Sequence, residues 1–307
     1  MTETSSTAMP GAAGQRLGLI GAGRKGTGIG LSLLRHGSEL HIKVNRTGAG
    51  AERLTGMGAH EHTSFSELAR HVSAVVLSLP SSCEVEEVCL GQHGLFAHLP
   101  RQSLVLDCTT SYPASTLTLA EHAKKHALHF IDAPVTRSPQ QAEQGRLNAI
   151  VGSDESTFPI AARVLSAFCE NIVHVGNIGQ GHKLKLVYNS MTMGIAAVAA
   201  EACQLAIDVD LAILRSLVSR GATNSGVFRN FAAFLLDEKP DALAISIRNA
   251  NKKDIDCGVR LANETALKVP VLSAAAQKFQ TCLAEGKGEL TLPHLALSSS
   301  DDEPRQK

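Results

Sequence analysis

From residue 16 onward the chain alternates short apolar runs with longer segments whose apolar positions recur every three to four residues. Residues 17–20 read as a strand ending in glycine, and residues 26–36 as a helix with Ile29, Leu33 and Leu34 at helical spacing, stopped by Gly37. Residues 40–44, 74–79 and 104–106 predict further strands, the second closed by Pro80, with a short helix over 66–71 between them. A helix is expected from Pro113 to about His126, and strands at 130–131, 149–151 and 172–175. Strand and helix in alternation imply βαβ units and a mostly parallel sheet. After about Asn177 the strands stop, and 181–207, 211–218, 228–236, 249–267 and 271–284 all have helical length or spacing. A domain boundary is expected where alternation gives way to helix alone.

Composition narrows the function classes. Lysine and arginine together number 29, as do aspartate and glutamate, and that balance argues against nucleic-acid or membrane-surface binding driven by bulk charge. Cys83, Cys89, Cys108, Cys169, Cys203, Cys257 and Cys282 are scattered and contain no C-x-x-C pair, so they are expected to be reduced thiols of a cytoplasmic protein. Residues 1–15 lack the basic and apolar regions of a signal peptide and predict a disordered leader; 296–307 predict a disordered tail. The best membrane-span candidate, 191–207, is interrupted by Glu201 and Gln204 and is expected to be a buried helix. His60-Glu61-His62 and the pair His122 and His126 are the suggestive histidine groupings, and neither has the carboxylate or thiol set that would complete a metal site. Asp208 and Asp210 are expected to be helix-end and cap residues.

The first strand runs directly into Gly21-Ala22-Gly23-Arg24-Lys25-Gly26, a G-x-G-x-x-G that opens a helix. The first glycine permits a tight turn, the second lets backbone approach a pyrophosphate, and the third allows close packing of helix on strand. The helix N-terminus offers N–H groups and partial positive charge to the phosphates. The fold class expected is therefore α/β, with a doubly wound (Rossmann) dinucleotide-binding domain over 16–178 and an all-α C-terminal domain over 179–295. At the end of the second strand, where an acidic residue would serve NAD, stand Asn45, Arg46 and Thr47. A guanidinium with amide and hydroxyl neighbours suits a 2′-phosphate, so NADP(H) is preferred over NAD(H).

The longest apolar helix opens on Gly179-Gln180-Gly181-His182-Lys183-Leu184-Lys185, followed by Asn189. Lys185 and Asn189 are four residues apart and share one helical face. They could form a catalytic pair or a solvated surface pair, and helix geometry alone leaves both open.

With these segments in place, the chain resembles the β-hydroxyacid dehydrogenases, such as 3-hydroxyisobutyrate dehydrogenase, tartronate semialdehyde reductase and the glyoxylate, succinic semialdehyde and sulfolactaldehyde reductases. The resemblance covers about 16–285. It begins at Leu17 to Gly26, where the family commonly has a methionine in place of Lys25. Leu79-Pro80 is similar to the family's Leu-Pro turn beside the cofactor. Asp107-Cys108-Thr109-Thr110-Ser111-Tyr112-Pro113 is similar to its Asp-x-Ser-Thr-x-x-Pro, which implies a nicotinamide-side contact from Thr110. Asp132-Ala133-Pro134-Val135 is the substrate motif, which the family continues with Ser-Gly-Gly where this chain has Thr136, Arg137 and Ser138. The resemblance implies that this segment holds a substrate anion, with Arg137 in the place where sulfolactaldehyde reductases also carry arginine. It implies that Lys185 is the catalytic acid/base and that Asn189 orients the reacting oxygen, with Tyr188 replacing a usual asparagine. Lys253, in Lys252-Lys253-Asp254-Ile255, matches a family lysine that reaches cofactor or substrate.

The function this implies is NADP(H)-dependent interconversion of a small acidic aldehyde or keto acid and its hydroxy acid, by a homodimer or larger homo-oligomer. Hydride transfer to a carbonyl leaves an alkoxide that needs a proton, which the Lys185 ammonium would donate and its amine would remove in reverse. The alternatives are a sulfolactaldehyde-type reductase using Arg137 for a sulfonate, an imine reductase, and a non-catalytic NADP-binding relative. Lys185 opposes the imine reductases, which have another residue there. Retention of Lys185, Asn189 and Lys253 opposes the last.

Overall fold

The computed structural model describes residues 14–44, 48–206, 208–236, 238, 243 and 245–297. The Asn45, Arg46 and Thr47 segment, most of the expected leader and nearly all of the expected tail lie outside the described residues. The chain divides into two compact units, Met1–Lys185 and Leu186–Lys307.

In the first unit the elements run β1 (Arg16–Ile20), α1 (Arg24–Arg35), β2 (Glu39–Lys43), α2 (Ala49–Gly56), β3 (His60–Glu61), α3 (Phe65–Ala69), β4 (Ala74–Leu77), α4 (Ser82–Leu90), β5 (Leu104–Asp107), α5 (Pro113–Lys125) and β6 (His129–Asp132). The strands form one sheet in the order β3-β2-β1-β4-β5-β6, and all five pairings are parallel. This is the doubly wound order, with its switch point between β1 and β4. Two-residue alternation explains how the sheet is buried on both faces. Leu17, Leu19, Val76, Leu106 and Ile131 enter one core with α1, whereas Ile20, Val75, Leu77, Val105 and Phe130 enter the other, with Val85 of α4 and Leu119 of α5.

The expected strands at 149–151 and 172–175 do not join this sheet. They belong to a separate small sheet of β7 (Val135–Thr136), β8 (Leu147–Val151) and β9 (Cys169–His174), in which β7 and β8 are antiparallel and β8 and β9 parallel. α6 (Pro139–Glu143) and α7 (Phe158–Leu165) connect these strands. α6 packs closely on α1, and Gly28 makes that possible: a Cβ there would lie 2.8 Å from the Ala142 side chain and 2.9 Å from the Pro139 carbonyl oxygen.

α8 (Gln180–Leu205) begins in the first unit and continues into the second, so the division falls inside the helix and not at its start. The second unit adds α9 (Leu211–Arg220), α10 (Gly226–Leu235), α11 (Ile247–Ala250), α12 (Asp256–Glu264) and α13 (Pro270–Ala284). Asp210 caps α9, accepting the Ala212 N–H at 2.8 Å as expected of it. The core holds Met193, Ala196 and Ala200 of α8 against Phe228 and Phe231 of α10 and Phe279 of α13. Small residues on one helix and large rings on the others let the axes approach without voids.

Two of the expected helices carry further features. α8 is long and apolar enough to match a membrane-crossing helix by length and composition, but 44% of that window is buried, and its alanines supply core. The single helix expected over 249–267 is interrupted: α11 passes into a π turn at Asn251–Ile255 before α12. Such π turns are single-turn insertions that occur often at functional sites.

Candidate active site

The glycine-rich loop is built as its spacing requires. Gly21 has φ +104°, and a Cβ there would lie 2.2 Å from the Ser78 carbonyl oxygen; at Gly26 it would lie 1.8 Å from the Gly21 carbonyl oxygen. Both positions exclude every other residue, the first by conformation and contact, the third by contact alone. Gly23 differs, since a Cβ there would meet nothing within 4 Å. That open space lies at the N-cap of α1, which has no side-chain cap and no acidic residue in its first turn, only Arg24 and Lys25. Uncapped N–H groups, a twelve-residue helix dipole and two cations form a cradle that fits a dinucleotide pyrophosphate. Ala22 completes the turn, its carbonyl accepting from Thr27 Oγ1 at 3.1 Å.

Beside this cradle, the two segments named by the resemblance are tied together. The Leu79 N–H, preceding Pro80, donates to Thr109 Oγ1 at 3.1 Å. Asp107, fully buried at the end of β5, accepts from the Thr109 N–H at 2.9 Å and Ser111 Oγ at 2.8 Å, and the Tyr112 N–H donates to Ser82 Oγ at 2.7 Å. Asp107 therefore shapes the loop that presents Thr110, which is half-buried between these anchors.

A second buried carboxylate starts α8. Asp132, at the end of β6, accepts the Gly179 N–H at 2.7 Å and the His182 N–H at 2.8 Å, acting as a cap from a distant strand. The glycines of the segment make room for it: Gly179 has φ +90°, and a Cβ at Gly181 would lie 2.7 Å from Asp132 Oδ2. Burial pushes the Asp132 carboxyl above its ordinary range, opposed by His182 and by the two N–H donors. Lys185 follows one turn later and is only 6% exposed. A lysine that buried is rarely a solvated surface residue, which argues against the surface-pair alternative left open by helix spacing.

Within the second unit, Asn189 is buried on α8 and donates through Nδ2 to Asp254 Oδ1 at 2.6 Å. Asp254 lies on the π turn, next to half-buried Lys253. The bond directs the amide nitrogen toward the carboxylate and fixes the carbonyl oxygen on the opposite side. Gly258 admits this approach, since a Cβ there would lie 2.1 Å from Ser190 Oγ. Tyr188 is exposed.

The segment expected to hold a substrate anion through its side chains is otherwise engaged. Thr136 Oγ1 accepts from Asn148 Nδ2 at 3.1 Å, and Ser138 caps α6 in a reciprocal capping box with Gln141. Arg137 takes a left-handed backbone, φ +79°, and its guanidinium donates to Glu170 and to the Arg146 carbonyl. Arg137, expected as a substrate-anion ligand, is thus directed to β9, where it pairs with Glu170. Glu170 is in turn held below the usual carboxylate range, first by the hydrogen bond from Arg137.

Asp107, Asp132, His182 and Asp254 are the polar residues whose roles sequence reasoning missed. One signal was available, because β5 and β6 both read as apolar runs ending on aspartate. His60 and His62, noted together in the sequence, gain partners that it did not reveal: His41, buried on β2, stacks on His60, His62 and His71 with ring centroids 5.1 Å apart.

Residues 16–176 match the family described as the NAD binding domain of 6-phosphogluconate dehydrogenase, and 179–295 match the NAD-binding family of NADP-dependent 3-hydroxyisobutyrate dehydrogenase. A probable mitochondrial 3-hydroxyisobutyrate dehydrogenase of Dictyostelium discoideum is 34% identical over 192 residues, 62% of this chain and 59% of that protein. The 3-sulfolactaldehyde reductase of Escherichia coli is 24% identical over 276 residues, 89% and 91% of the two chains. In fold, the crystal structure of a 3-hydroxyisobutyrate dehydrogenase from Salmonella typhimurium superposes with TM-score 0.83 at 23% identity, over 92% of this chain and 99% of that one. The two family models together span nearly all of 16–295, and the chain belongs to the β-hydroxyacid (3-hydroxyisobutyrate) dehydrogenase family of NAD(P)-dependent oxidoreductases.

Proposed function

We propose that the protein interconverts a small acidic aldehyde or keto acid and its hydroxy acid, with Lys185 as the acid/base and NADP(H) as cofactor. The observation that carries this reading is the burial of Lys185 on a helix whose start is pinned by Asp132. The bound nicotinamide supplies hydride in reduction and accepts it in oxidation. In reduction, the Lys185 ammonium stabilises negative charge developing on the carbonyl oxygen and gives it a proton; in oxidation, the neutral amine removes the hydroxyl proton. Asn189, its amide oriented by Asp254, bonds the same oxygen and restricts its approach. Arg24, Lys25 and the N–H groups of α1 hold the cofactor phosphates, and Arg46 with Asn45 and Thr47 takes the 2′-phosphate that distinguishes NADP from NAD. The pairing of Arg137 with Glu170 supports a substrate anion held by other groups, with a sulfolactaldehyde-type reductase as the alternative in which Arg137 exchanges Glu170 for a sulfonate.

The second unit carries an apolar groove of about 830 Å³, lined by Met191 and Val198 of α8, Leu214 and Val218 of α9, Phe228 of α10 and Val271 of α13. We assign it to a homodimer contact, readable as a molecular mass in light scattering. The cysteines support a cytoplasmic location, with Cys89, Cys108 and Cys169 buried and their thiols pushed up by desolvation, away from reactivity.

The test is oxidation of NADPH and of NADH against succinic semialdehyde, glyoxylate, tartronate semialdehyde and sulfolactaldehyde, with wild type and Lys185→Ala. Turnover of at least one aldehyde with NADPH favoured is expected, and Lys185→Ala should lose about 10²–10⁴-fold in kcat while still binding NADPH. Near-normal turnover by Lys185→Ala would remove the assignment. Tight NADPH binding without turnover of any aldehyde would favour a non-catalytic relative.

A further inference from the structure

Three residues before Lys185 on α8, His182 is completely buried, with 0% exposure. Its ring joins elements that are distant in sequence. Nε2 lies 3.1 Å from the Thr109 carbonyl oxygen on the loop after β5, and Nδ1 lies 2.7 Å from Thr116 Oγ1 on α5. A carbonyl oxygen only accepts, so Nε2 carries the hydrogen of that bond. Thr116 Oγ1 also reaches the Tyr112 carbonyl at 3.2 Å. The ionisable groups against the ring are the carboxylates that end β5 and β6: Asp107 Oδ2 at 3.7 Å from Nε2, and Asp132 Oδ2 at 3.9 Å from Nδ1. Thr109 in turn holds the Leu79 N–H, which extends the connection to the end of β4.

These contacts act differently from the cap on the same helix. Asp132 bonds to N–H groups that point along the helix axis, and so holds the end of α8 in place. The His182 ring extends sideways from the axis and is held at both nitrogens, which resists rotation of the helix about that axis. A rotation of about 10° at a radius of roughly 6 Å moves a side-chain tip by about 1 Å. A displacement of that size at a reacting group is worth on the order of 10²-fold in rate. Lys185 stands on the side of α8 adjacent to His182, because residues three apart are neighbours on a helix.

We propose that His182 is a positioning residue for proton transfer: through Thr109 and Thr116 it sets the rotation of the first turns of α8 and thereby holds the Lys185 amine at the reacting oxygen. The inference rests on the reading of Lys185 as the acid/base. A packing histidine would require only that the cavity be filled, whereas this one requires both nitrogens.

The experiment compares wild type with His182→Ala, His182→Gln and Thr116→Val. Steady-state kinetics use NADPH and the best aldehyde of the panel, and the reductive methylation rate of Lys185 is read by peptide mass spectrometry. His182→Ala is expected to lower kcat 10- to 100-fold with KM for NADPH within threefold, and to label Lys185 at least fivefold faster. His182→Gln, whose amide nitrogen reaches the position of Nε2, should return kcat to within fivefold of wild type. Thr116→Val should fall between them. A folded His182→Ala with wild-type kcat and labelling overturns the proposal, as does His182→Gln no better than alanine. If His182→Ala does not fold, Thr116→Val decides, and unchanged kcat and labelling overturn the proposal. Lys185→Ala separates the two readings: retained turnover there defeats the acid/base assignment, while the labelling rates in the His182 variants still judge positioning.

Discussion

Replacing Gly181 by alanine tests how tightly the start of α8 is held. Gly181 has no positive φ, so the penalty is contact alone. A Cβ would lie 2.5 Å from the Ile150 carbonyl oxygen, 2.7 Å from Asp132 Oδ2 and 2.9 Å from the Asp132 carbonyl oxygen. Ordinary contact begins near 3.4 Å, so the worst approach is about 0.9 Å too short, and it is made to backbone of a sheet strand that cannot yield cheaply. The helix start must then move by a comparable distance and carry Lys185 with it. Overpacking of this kind costs about 1–3 kcal/mol of stability, and a shift near 1 Å at a reacting group costs on the order of 10²-fold in rate. The assay is a thermal melt and steady-state kcat for Gly181→Ala beside Gly56→Ala, a helical glycine whose Cβ would meet nothing within 4 Å. Gly181→Ala should melt several degrees lower and lose 10- to 100-fold in kcat, with Gly56→Ala equal to wild type or slightly more stable. Wild-type melting and turnover in Gly181→Ala would refute the packing argument.

Three further outcomes follow from the same geometry. Burial, ahead of the neighbouring imidazoles, holds both His41 and His62 below the ordinary 6.5, so the unfolded chain binds protons more readily than the folded one; stability should be full above about pH 6.5 and decline as pH falls through that value toward the folded pKa values, a slope that urea midpoints would read and that His41→Leu should flatten. Arg137→Gly gives up an exposed ion pair but releases a left-handed residue worth about 1–2 kcal/mol, so its melting midpoint should equal or exceed that of wild type and its kcat stay within threefold; a large loss of turnover would return Arg137 to the substrate site. Asp254→Ala frees the Asn189 amide and should reduce kcat about tenfold, with KM for NADPH little changed, and an unaltered kcat would show that the amide needs no partner to stay oriented.

Several features are legible in the amino-acid sequence alone, each because its signal is local. The doubly wound sheet follows from strand and helix periods, and the phosphate cradle from a six-residue motif whose glycines have distinct steric duties. α2 and α4 are not legible in the same way. α2 is a short segment with two glycines, and the charges of α4 break its apolar stripe, so neither has a strong period. The run over 249–267 has helical spacing throughout, and spacing cannot reveal that one turn widens into a π turn to bring Asp254 to Asn189. β8 reads like any buried strand, yet it pairs with β7 and β9, because partner choice is a tertiary property.

The sequence by itself determined the two-part α/β and all-α plan, the dinucleotide cradle and the placing of Lys185 and Asn189 one helical turn apart, since each depends on residues within a few positions of one another. The tertiary structure decided what those residues can do. Asp132 starts the helix from 47 positions away, Thr116 reaches His182 across 66, and Asp254 orients the Asn189 amide across 65. Buried hydrogen bonds are short and directional, so they depend on where the folded chain brings its ends together, and no local pattern of hydrophobic and polar positions encodes that distance.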